Sequence, residues 1–157
     1  MTTRTLVVLR HAKAAHIPGL ADRERPLTAR GERDARKAGQ TLTDLDLRPD
    51  LVLCSPSMRT RQTATLALPD ADITFEPAIY EAYADELLTL IRRSDPEVRT
   101  LALVGHNPGV HELVMQLTTR DGDTGFPPGA FAVIEAKGEW SGLDAGRGIA
   151  RWRPKEH

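Results

Sequence analysis

Residues 6–11 read Leu-Val-Val-Leu-Arg-His, a short apolar run that ends in two polar side chains. Four apolar residues, two of them β-branched, are typical of a buried β-strand. Arg10 and His11 follow at once, so a guanidinium and an imidazole stand where the strand ends. This stretch therefore predicts a strand that brings two chemically active groups to one edge of a sheet.

Similar apolar runs alternate with helical patterns along the rest of the chain. Helical spacing begins at Thr28, a capping residue, and continues to Leu45. Ser55-Pro56 and Asn107-Pro108 are cap-and-proline pairs that predict two more helix starts, and a further helix covers residues 82–91. The predicted strands are residues 6–9, 51–54, 73–75, 101–104 and 130–134, with 151–153 as an edge strand. This alternation predicts an α/β fold, a three-layer α/β/α sandwich with a mostly parallel central sheet, in a single domain over residues 1–157.

The composition is that of an ordinary globular protein. The 157 residues include 21 Lys and Arg against 22 Asp and Glu, for a formal net charge of −1. This balance gives no reason to expect nucleic acid or a membrane as partner, and no apolar run approaches the ~20 residues that span a bilayer. The N-terminus lacks a secretory signal, and the single Cys54 excludes an intramolecular disulfide. We therefore expect a cytoplasmic monomer with a small partner.

Polar residues follow three of the predicted strands, at the point where each strand ends. These segments are residues 10–11, 55–59 and 105–108. Ligands of such folds bind outside the carboxyl ends of the strands, so we expect the three segments to converge. The convergence would place Arg10, Arg59, His11 and His106 around one point, together with two helix N-termini. Guanidinium groups and helix N-termini favour phosphate oxygens, so the expected guest is a phosphoryl group.

His11 is the candidate nucleophile of this cluster. A neighbouring cation lowers the pKa of an imidazole, which keeps it neutral and leaves a lone pair free to attack phosphorus. A covalent phosphohistidine on His11 would divide one transfer into two easier steps, while Arg10, Arg59 and His106 hold the charge of the phosphoryl oxygens. This chemistry needs no metal or other cofactor, and we expect none.

Each segment also has an ordinary structural explanation. Arg10-His11 could be a solvated loop pair, Arg59 a surface helix residue, and Asn-Pro a helix opener whatever His106 does. The functional interpretation depends on all three falling at the same end of successive strands.

Other candidate sites are weaker. Cys54 ends a buried strand and is interpreted as an inert core thiol. We expect Arg25 to pair with loop acids and His16 to be a solvated surface residue. The segment 121–123 begins like a calcium loop but lacks the later glycine and acid, so we interpret it as a turn.

Three motifs resemble those of the histidine phosphatase superfamily. They are Leu-Arg-His at 9–11, Ser-Pro-x-x-Arg-x-x-x-Thr at 55–63 and Gly-His-Asn-Pro at 105–108. The resemblance implies a phosphoglycerate-mutase-like fold, His11 as the phosphorylated nucleophile, and a phosphate pocket of Arg10, His11, Arg59 and His106.

Further segments are similar to the short, SixA-like branch, known for protein phosphohistidine phosphatases. They are Arg-His-Ala-Lys-Ala at 10–14, Asp-x-x-Arg-Pro-Leu-Thr-x-x-Gly at 22–31 and Tyr-Glu-Ala at 80–82. Many members of the wider superfamily have Gly where this chain has Ala12, and the alanine fits the SixA-like branch. Larger relatives carry an acid within the Tyr-Glu-Ala motif, which makes Glu81 a candidate proton donor. The alternative is that Glu81 is an acid near a helix N-terminus.

The sequence thus predicts a metal-independent phosphatase with a phosphohistidine intermediate on His11, acting on phosphohistidine in a protein. The alternatives are a small-molecule phosphomonoesterase of the same fold and a non-catalytic phosphate-binding module.

Overall fold

The computed structural model describes residues 2–118 and 125–155. Within these residues the chain forms six strands: β1 (Thr3–Arg10), β2 (Leu51–Cys54), β3 (Ile73–Phe75), β4 (Thr100–Gly105), β5 (Phe131–Lys137) and β6 (Arg147–Trp152). Four α-helices connect them: α1 (Ala29–Asp44), α2 (Met58–Ala67), α3 (Ala84–Arg92) and α4 (Gly109–Thr118). Short 3₁₀ helices lie at Asp22–Glu24, Pro77–Ile79 and Trp140–Gly142. The segment 121–123, interpreted as a turn, lies outside the described residues.

All described strands join one sheet in the order β3-β2-β4-β1-β5-β6. The pairs β1–β4, β2–β4 and β2–β3 are parallel, whereas β5 is antiparallel to both β1 and β6. Five strands therefore point one way and β5 points the other way. The prediction of an α/β fold with a mostly parallel sheet is confirmed.

The alternation of side chains along β1 builds the core on both faces of the sheet. Leu6 and Val8 pack with residues of α3 and α4 on one face. Val7 and Leu9 pack with residues of α1 and α2 on the other face. Each such side chain stabilises the fold by about 1.5–3 kcal/mol on burial. The run is apolar throughout because helices cover both faces of the sheet. The sheet is the middle of three layers.

The start of α1 fixes the loop that follows β1. The Thr28 hydroxyl accepts a hydrogen bond from the Gly31 N–H at 3.0 Å, which is the predicted cap. A Cβ on Gly31 would lie 2.2 Å from the carbonyl oxygen of Lys13, so only glycine permits this close approach. The loop after β1 is thereby held against the helix.

The prediction that Ser55 caps a helix opened by Pro56 is wrong by two residues. Helix α2 begins at Met58, with Ser57 at the N-cap position. The Ser55 N–H instead donates to the Val104 carbonyl at 3.1 Å, which continues the β2–β4 pairing by one residue. Its hydroxyl is therefore free to face the end of β4.

Helix α4 also begins later than the sequence predicted. The helix begins at Gly109, after a cis Asn107-Pro108 peptide, and Glu112 N–H donates to the Pro108 carbonyl at 3.0 Å. Asn107 does not cap the helix, because its Oδ1, the atom that would accept from a helix N–H, has no hydrogen-bond partner in the described chain. Its Nδ2 donates to the Phe126 carbonyl at 2.8 Å. The edge strand that is expected at 151–153 is observed as β6, which is longer and begins earlier, spanning Arg147–Trp152.

Candidate active site

The carboxyl ends of β1, β2 and β4 bring the three predicted segments to one edge of the sheet. Arg10 is paired with Gly105 in the β1–β4 register, and the His11 N–H donates to the Gly105 carbonyl at 3.1 Å. His106 follows directly, and its Nε2 lies 2.9 Å from the Ser55 Oγ. The parallel register therefore places the two histidines beside each other.

The His11 side chain is buried and oriented through one ring nitrogen. It is 9% exposed, and its Nδ1 lies 2.7 Å from the Ala12 carbonyl oxygen. A carbonyl only accepts, so Nδ1 carries the proton and Nε2 keeps a lone pair in the neutral ring. Burial is the main cause that lowers the pKa of His11 from 6.5 to about 3, with smaller contributions from nearby positive groups. The imidazole is thus neutral at physiological pH, with Nε2 available as a nucleophile.

His106 lies beside His11, and the two imidazole rings form a tilted pair with an interplanar angle of 55°. The ring centroids of His11 and His106 are 5.3 Å apart, and the Tyr80 ring meets His106 edge-on at 5.5 Å. Burial, followed by the charge of Arg59, lowers the pKa of His106 to about 4. Both rings are therefore neutral while no anion is bound, and an anion between them would favour the protonated form of His106.

Two arginines supply the fixed positive charge. Arg10 donates to the Phe126 carbonyl at 3.1 Å, and its Nε finds no hydrogen-bond partner in the described chain. Burial, together with the charge of Arg59, lowers the pKa of Arg10. Arg59, on the first turn of α2, is 7% exposed. Two like charges held in a partly buried place are a favourable setting for an anion with several oxygens.

Asp22 is the site residue that the sequence predictions did not include. Arg59 donates through Nη1 to the Asp22 carbonyl oxygen at 2.7 Å and through Nη2 to its carboxylate Oδ2 at 3.0 Å. The Tyr80 hydroxyl donates to the same Oδ2. The hydrogen bond from Tyr80, followed by those from Arg25 and Arg59, holds the pKa of Asp22 well below its usual range. Asp22 therefore stays ionised and fixes the orientation of Arg59.

Glu81 does not join this cluster through any hydrogen bond found among the described residues. It follows the 3₁₀ helix Pro77–Ile79, is exposed, and has a φ of 60°, a left-handed conformation that costs a non-glycine residue about 1–2 kcal/mol. The predicted helix over 82–91 begins later, at Ala84, so Glu81 lies in a turn before it. A Cβ on Gly109 would lie 2.2 Å from the Ala82 carbonyl oxygen, so this turn packs tightly on α4. The role of Glu81 stays a prediction.

Arg25, Cys54 and His16 have the surroundings that the sequence predicted. Arg25 pairs with the Asp22 carboxylate at 3.0 Å, which confirms its pairing with a loop acid. Burial raises the pKa of Cys54 to about 12, so the thiol stays protonated and inert. His16 is exposed. Among the described residues, no group of three or more His, Cys, Asp or Glu side chains is arranged to hold a metal ion.

The assembled site can accept a phosphoryl group and share its charge. Neutral imidazole Nε2 provides an electron pair, and two guanidinium groups and a second imidazole provide donors for oxygens.

In the part of the chain that the structure describes, no helix is long and apolar enough to cross a bilayer.

Comparison with known proteins gives consistent results. The family model of the histidine phosphatase superfamily (branch 1) matches residues 6–119. An uncharacterized protein of Mycobacterium tuberculosis (strain H37Rv) is 34% identical over 147 residues, which cover 88% of this chain and 93% of that protein.

Solved structures extend the similarity to nearly the whole chain. A structure from Nakamurella multipartitia, provisionally assigned as phosphohistidine phosphatase SixA, matches with a TM-score of 0.90 and 30% identity, covering 98% of each chain. One from Agrobacterium tumefaciens with the same provisional assignment has a TM-score of 0.84 and 31% identity, covering 96% of this chain and 99% of that one.

Proposed function

The chain belongs to the histidine phosphatase superfamily (branch 1) and is a phosphatase, and from this premise we propose that it hydrolyses phosphohistidine in proteins through an intermediate on His11. The observation that carries the proposal is the hydrogen bond of 2.7 Å between His11 Nδ1 and the Ala12 carbonyl. This bond leaves Nε2 unprotonated in a ring whose pKa of about 3 keeps it neutral.

In the first step His11 Nε2 attacks phosphorus. A new P–N bond forms while the bond between phosphorus and the substrate's imidazole nitrogen breaks. The departing ring, which carries a proton on its other nitrogen, keeps that electron pair and leaves as neutral imidazole. Arg10, Arg59 and His106 donate hydrogen bonds to the phosphoryl oxygens and stabilise their charge.

In the second step water attacks the phosphoryl group on His11. The P–N bond breaks, its electron pair returns to Nε2, inorganic phosphate forms, and the free enzyme is restored. In this cycle no side chain other than Arg10, His11, Arg59 and His106 has to gain or lose charge.

The demand for a proton donor depends on the substrate. An imidazole can leave phosphorus as a neutral ring, whereas an alkoxide needs a proton from an acid. Within this proposal Glu81 supplies that proton to oxygen leaving groups. Exposure of the Glu81 side chain and its turn beside Tyr80 are compatible with delivery to a bound substrate. Glu81→Gln should then slow hydrolysis of an alkyl phosphate far more than that of phosphohistidine.

The SixA assignments of the two similar structures support a phosphohistidine substrate. Between the second and third motifs the chain forms the end of α2, β3, the 3₁₀ helix Pro77–Ile79, α3 and β4, joined by short turns, and carries no longer insertion. A pocket that the described residues leave open suits a phosphorylated side chain that projects from a protein surface.

The experiment that tests the intermediate is rapid quenching during turnover of a phosphorylated histidine peptide. Wild-type protein should carry one acid-labile phosphoryl group, located on His11 by mass spectrometry. His11→Ala should carry none and should release no phosphate. Full turnover by His11→Ala would contradict the covalent mechanism.

A second experiment tests the substrate. The kcat/KM for a phosphohistidine protein is compared with values for a panel of phosphorylated metabolites. Faster turnover of any metabolite by orders of magnitude would identify a small-molecule phosphomonoesterase instead. Binding of phosphate without turnover of any substrate would identify a non-catalytic module.

A further inference from the structure

A groove of about 470 Å³ opens beside the proposed nucleophile, with Arg10 and His11 at one end. Its walls come from four separated parts of the chain. These are the loop after β1, the segment from Arg25 into the first turns of α1, and the residues Pro127-Pro128 and Arg153-Pro154. Arg59 and His106 do not line it, so the groove extends beyond the phosphate pocket.

The charged residues that line the groove are mainly cations. Besides Arg10, its charged lining residues are Lys13, Arg25, Arg30, Arg153 and Asp34. Asp34 is the one carboxylate that lines it among the described residues, and it is 4% exposed and 3.7 Å from the Arg30 Nε. A chain of nearly zero net charge therefore concentrates positive charge on this one surface.

Backbone carbonyls hold the arginine side chains in place. The donor and acceptor pairs are Arg25 Nε to Ala15 O at 2.9 Å, Arg30 Nη2 to Lys155 O at 3.3 Å, and Arg153 Nη2 to Gly125 O at 3.1 Å. A carbonyl orients a guanidinium without cancelling its full charge, but Arg25 also pairs with the Asp22 carboxylate at 3.0 Å and Arg30 lies 3.7 Å from that of Asp34. The groove thus presents positioned cations instead of freely moving surface side chains.

Lys13 is fixed through its backbone. Its carbonyl accepts a hydrogen bond from the Thr28 N–H at 2.9 Å and occupies the space that Gly31 leaves open. The side chain itself is exposed at the groove. Lys13 is two residues from the proposed nucleophile, so a group that it binds lies close to the phosphoryl group.

We propose that the groove binds the carboxylates of an acidic polypeptide segment that flanks the phosphorylated side chain. This inference deepens the proposed function and rests on it, because it makes acidic phosphoproteins the substrate class. Cations contributed by three separate segments around a groove of about 470 Å³ match a chain of carboxylates better than one compact anion. Complementary charge would also raise the rate of encounter with such a partner.

The test uses unphosphorylated peptides as competitors of aryl phosphate hydrolysis at low ionic strength. An acidic peptide should inhibit at least about fivefold more strongly than a neutral peptide of equal length, as expected for one or two exposed ion pairs. Lys13→Ala should remove most of this difference while leaving hydrolysis of the aryl phosphate unchanged. Lys37→Ala, which removes an exposed lysine of α1 outside the groove, is the matched control and should keep the difference.

Three outcomes would overturn the proposal. They are equal inhibition by acidic and neutral peptides, an unchanged preference in Lys13→Ala, and inhibition by free succinate that is as strong and as dependent on Lys13. The last result would assign the groove to a small anion. Because the competitors carry no phosphoryl group, these results are independent of whether phosphohistidine is the natural substrate.

Discussion

Strand β1 has an arginine near each end, buried Arg4 and half-buried Arg10, and the two have different surroundings. Near the amino end, Arg4 is 5% exposed and donates to the carbonyl oxygens of Gly138 and Pro96, the latter at 2.7 Å. Near the carboxyl end, Arg10 donates to one carbonyl, that of Phe126, and lies within the electrostatic reach of Arg59.

The difference shows that a buried guanidinium does not by itself make an anion site. Two carbonyl oxygens accept from the terminal nitrogens of Arg4, so an anion there would meet negative partial charges. The Nε of Arg4, like that of Arg10, has no hydrogen-bond partner in the described chain. Arg10 is accompanied by a second guanidinium and two neutral imidazoles, which leave donors and a lone pair for a ligand. The contrast predicts that one end of β1 governs catalysis and the other governs stability.

The largest expected effect is at His11, beside the carboxyl end of β1. His11→Ala should lower kcat by at least about a thousandfold, because no other neutral imidazole with a free Nε2 takes its place. Steady-state hydrolysis of an aryl phosphate measures the loss, and circular dichroism checks the fold. If His11→Ala kept a tenth of the wild-type activity, His11 would not be the nucleophile.

Exchanging the arginines for alanine should produce opposite results. Arg10→Ala should lower kcat by about 10²–10³, the usual loss for one donor to a transition-state oxygen, with a small change in stability. Arg4→Ala should leave kcat nearly unchanged and lower the free energy of unfolding by about 1–3 kcal/mol, because two carbonyls lose their donors. Urea titration and initial rates on both variants make the comparison. Equal catalytic losses in the two variants would contradict it.

Asp22 extends the comparison between the two ends of β1, because it accepts hydrogen bonds from Arg59 and orients it as the two carbonyls orient Arg4. Asp22→Ala should lower kcat/KM by about tenfold, because Arg59 loses one of its two orienting acceptors. Asp22→Asn should lose less, since the amide oxygen can still accept. Phosphate inhibition constants for both variants are the second readout. Tighter phosphate binding by Asp22→Ala would show that the carboxylate competes with the ligand.

The last expected effect is a pH dependence of stability that arises at the histidine end of β1. The pKa of His11 is lowered from 6.5 to about 3 in the folded protein, so below pH 6.5 the unfolded chain binds a proton that the folded chain does not. The free energy of unfolding should therefore fall as pH drops from 6.5 towards 3, by up to about 1.4 kcal/mol per pH unit. Urea titrations from pH 7.5 to 4.5 should show the slope, and His11→Gln should reduce it.

Much of the site could be predicted from sequence because its residues are adjacent to strand ends. A run such as residues 6–9 is recognisable locally, and parallel pairing then places Arg10 opposite Gly105 without further information. The cap at Thr28 is equally local, since its partner Gly31 is three residues away.

Other features depend on contacts between distant residues. Asp22 meets Arg59 across 37 positions of the chain, so neither residue's neighbours indicate the pairing. Ser55 looks like a helix cap, but its N–H pairs with Val104 and its hydroxyl meets His106. Here the sheet overrides a local preference for helix initiation, and the helix starts later.

The reversed direction of β5 has a consequence for how this fold can diversify. Because β5 runs against its neighbours, its beginning reaches the same edge as the ends of β1, β2 and β4, and the Gly129 N–H donates to the His11 carbonyl at 2.9 Å. The segment that enters β5 therefore reaches the reaction centre while the strand pairing begins only after it. Insertions before Phe126 could reshape substrate choice across lineages without disturbing the register of the sheet.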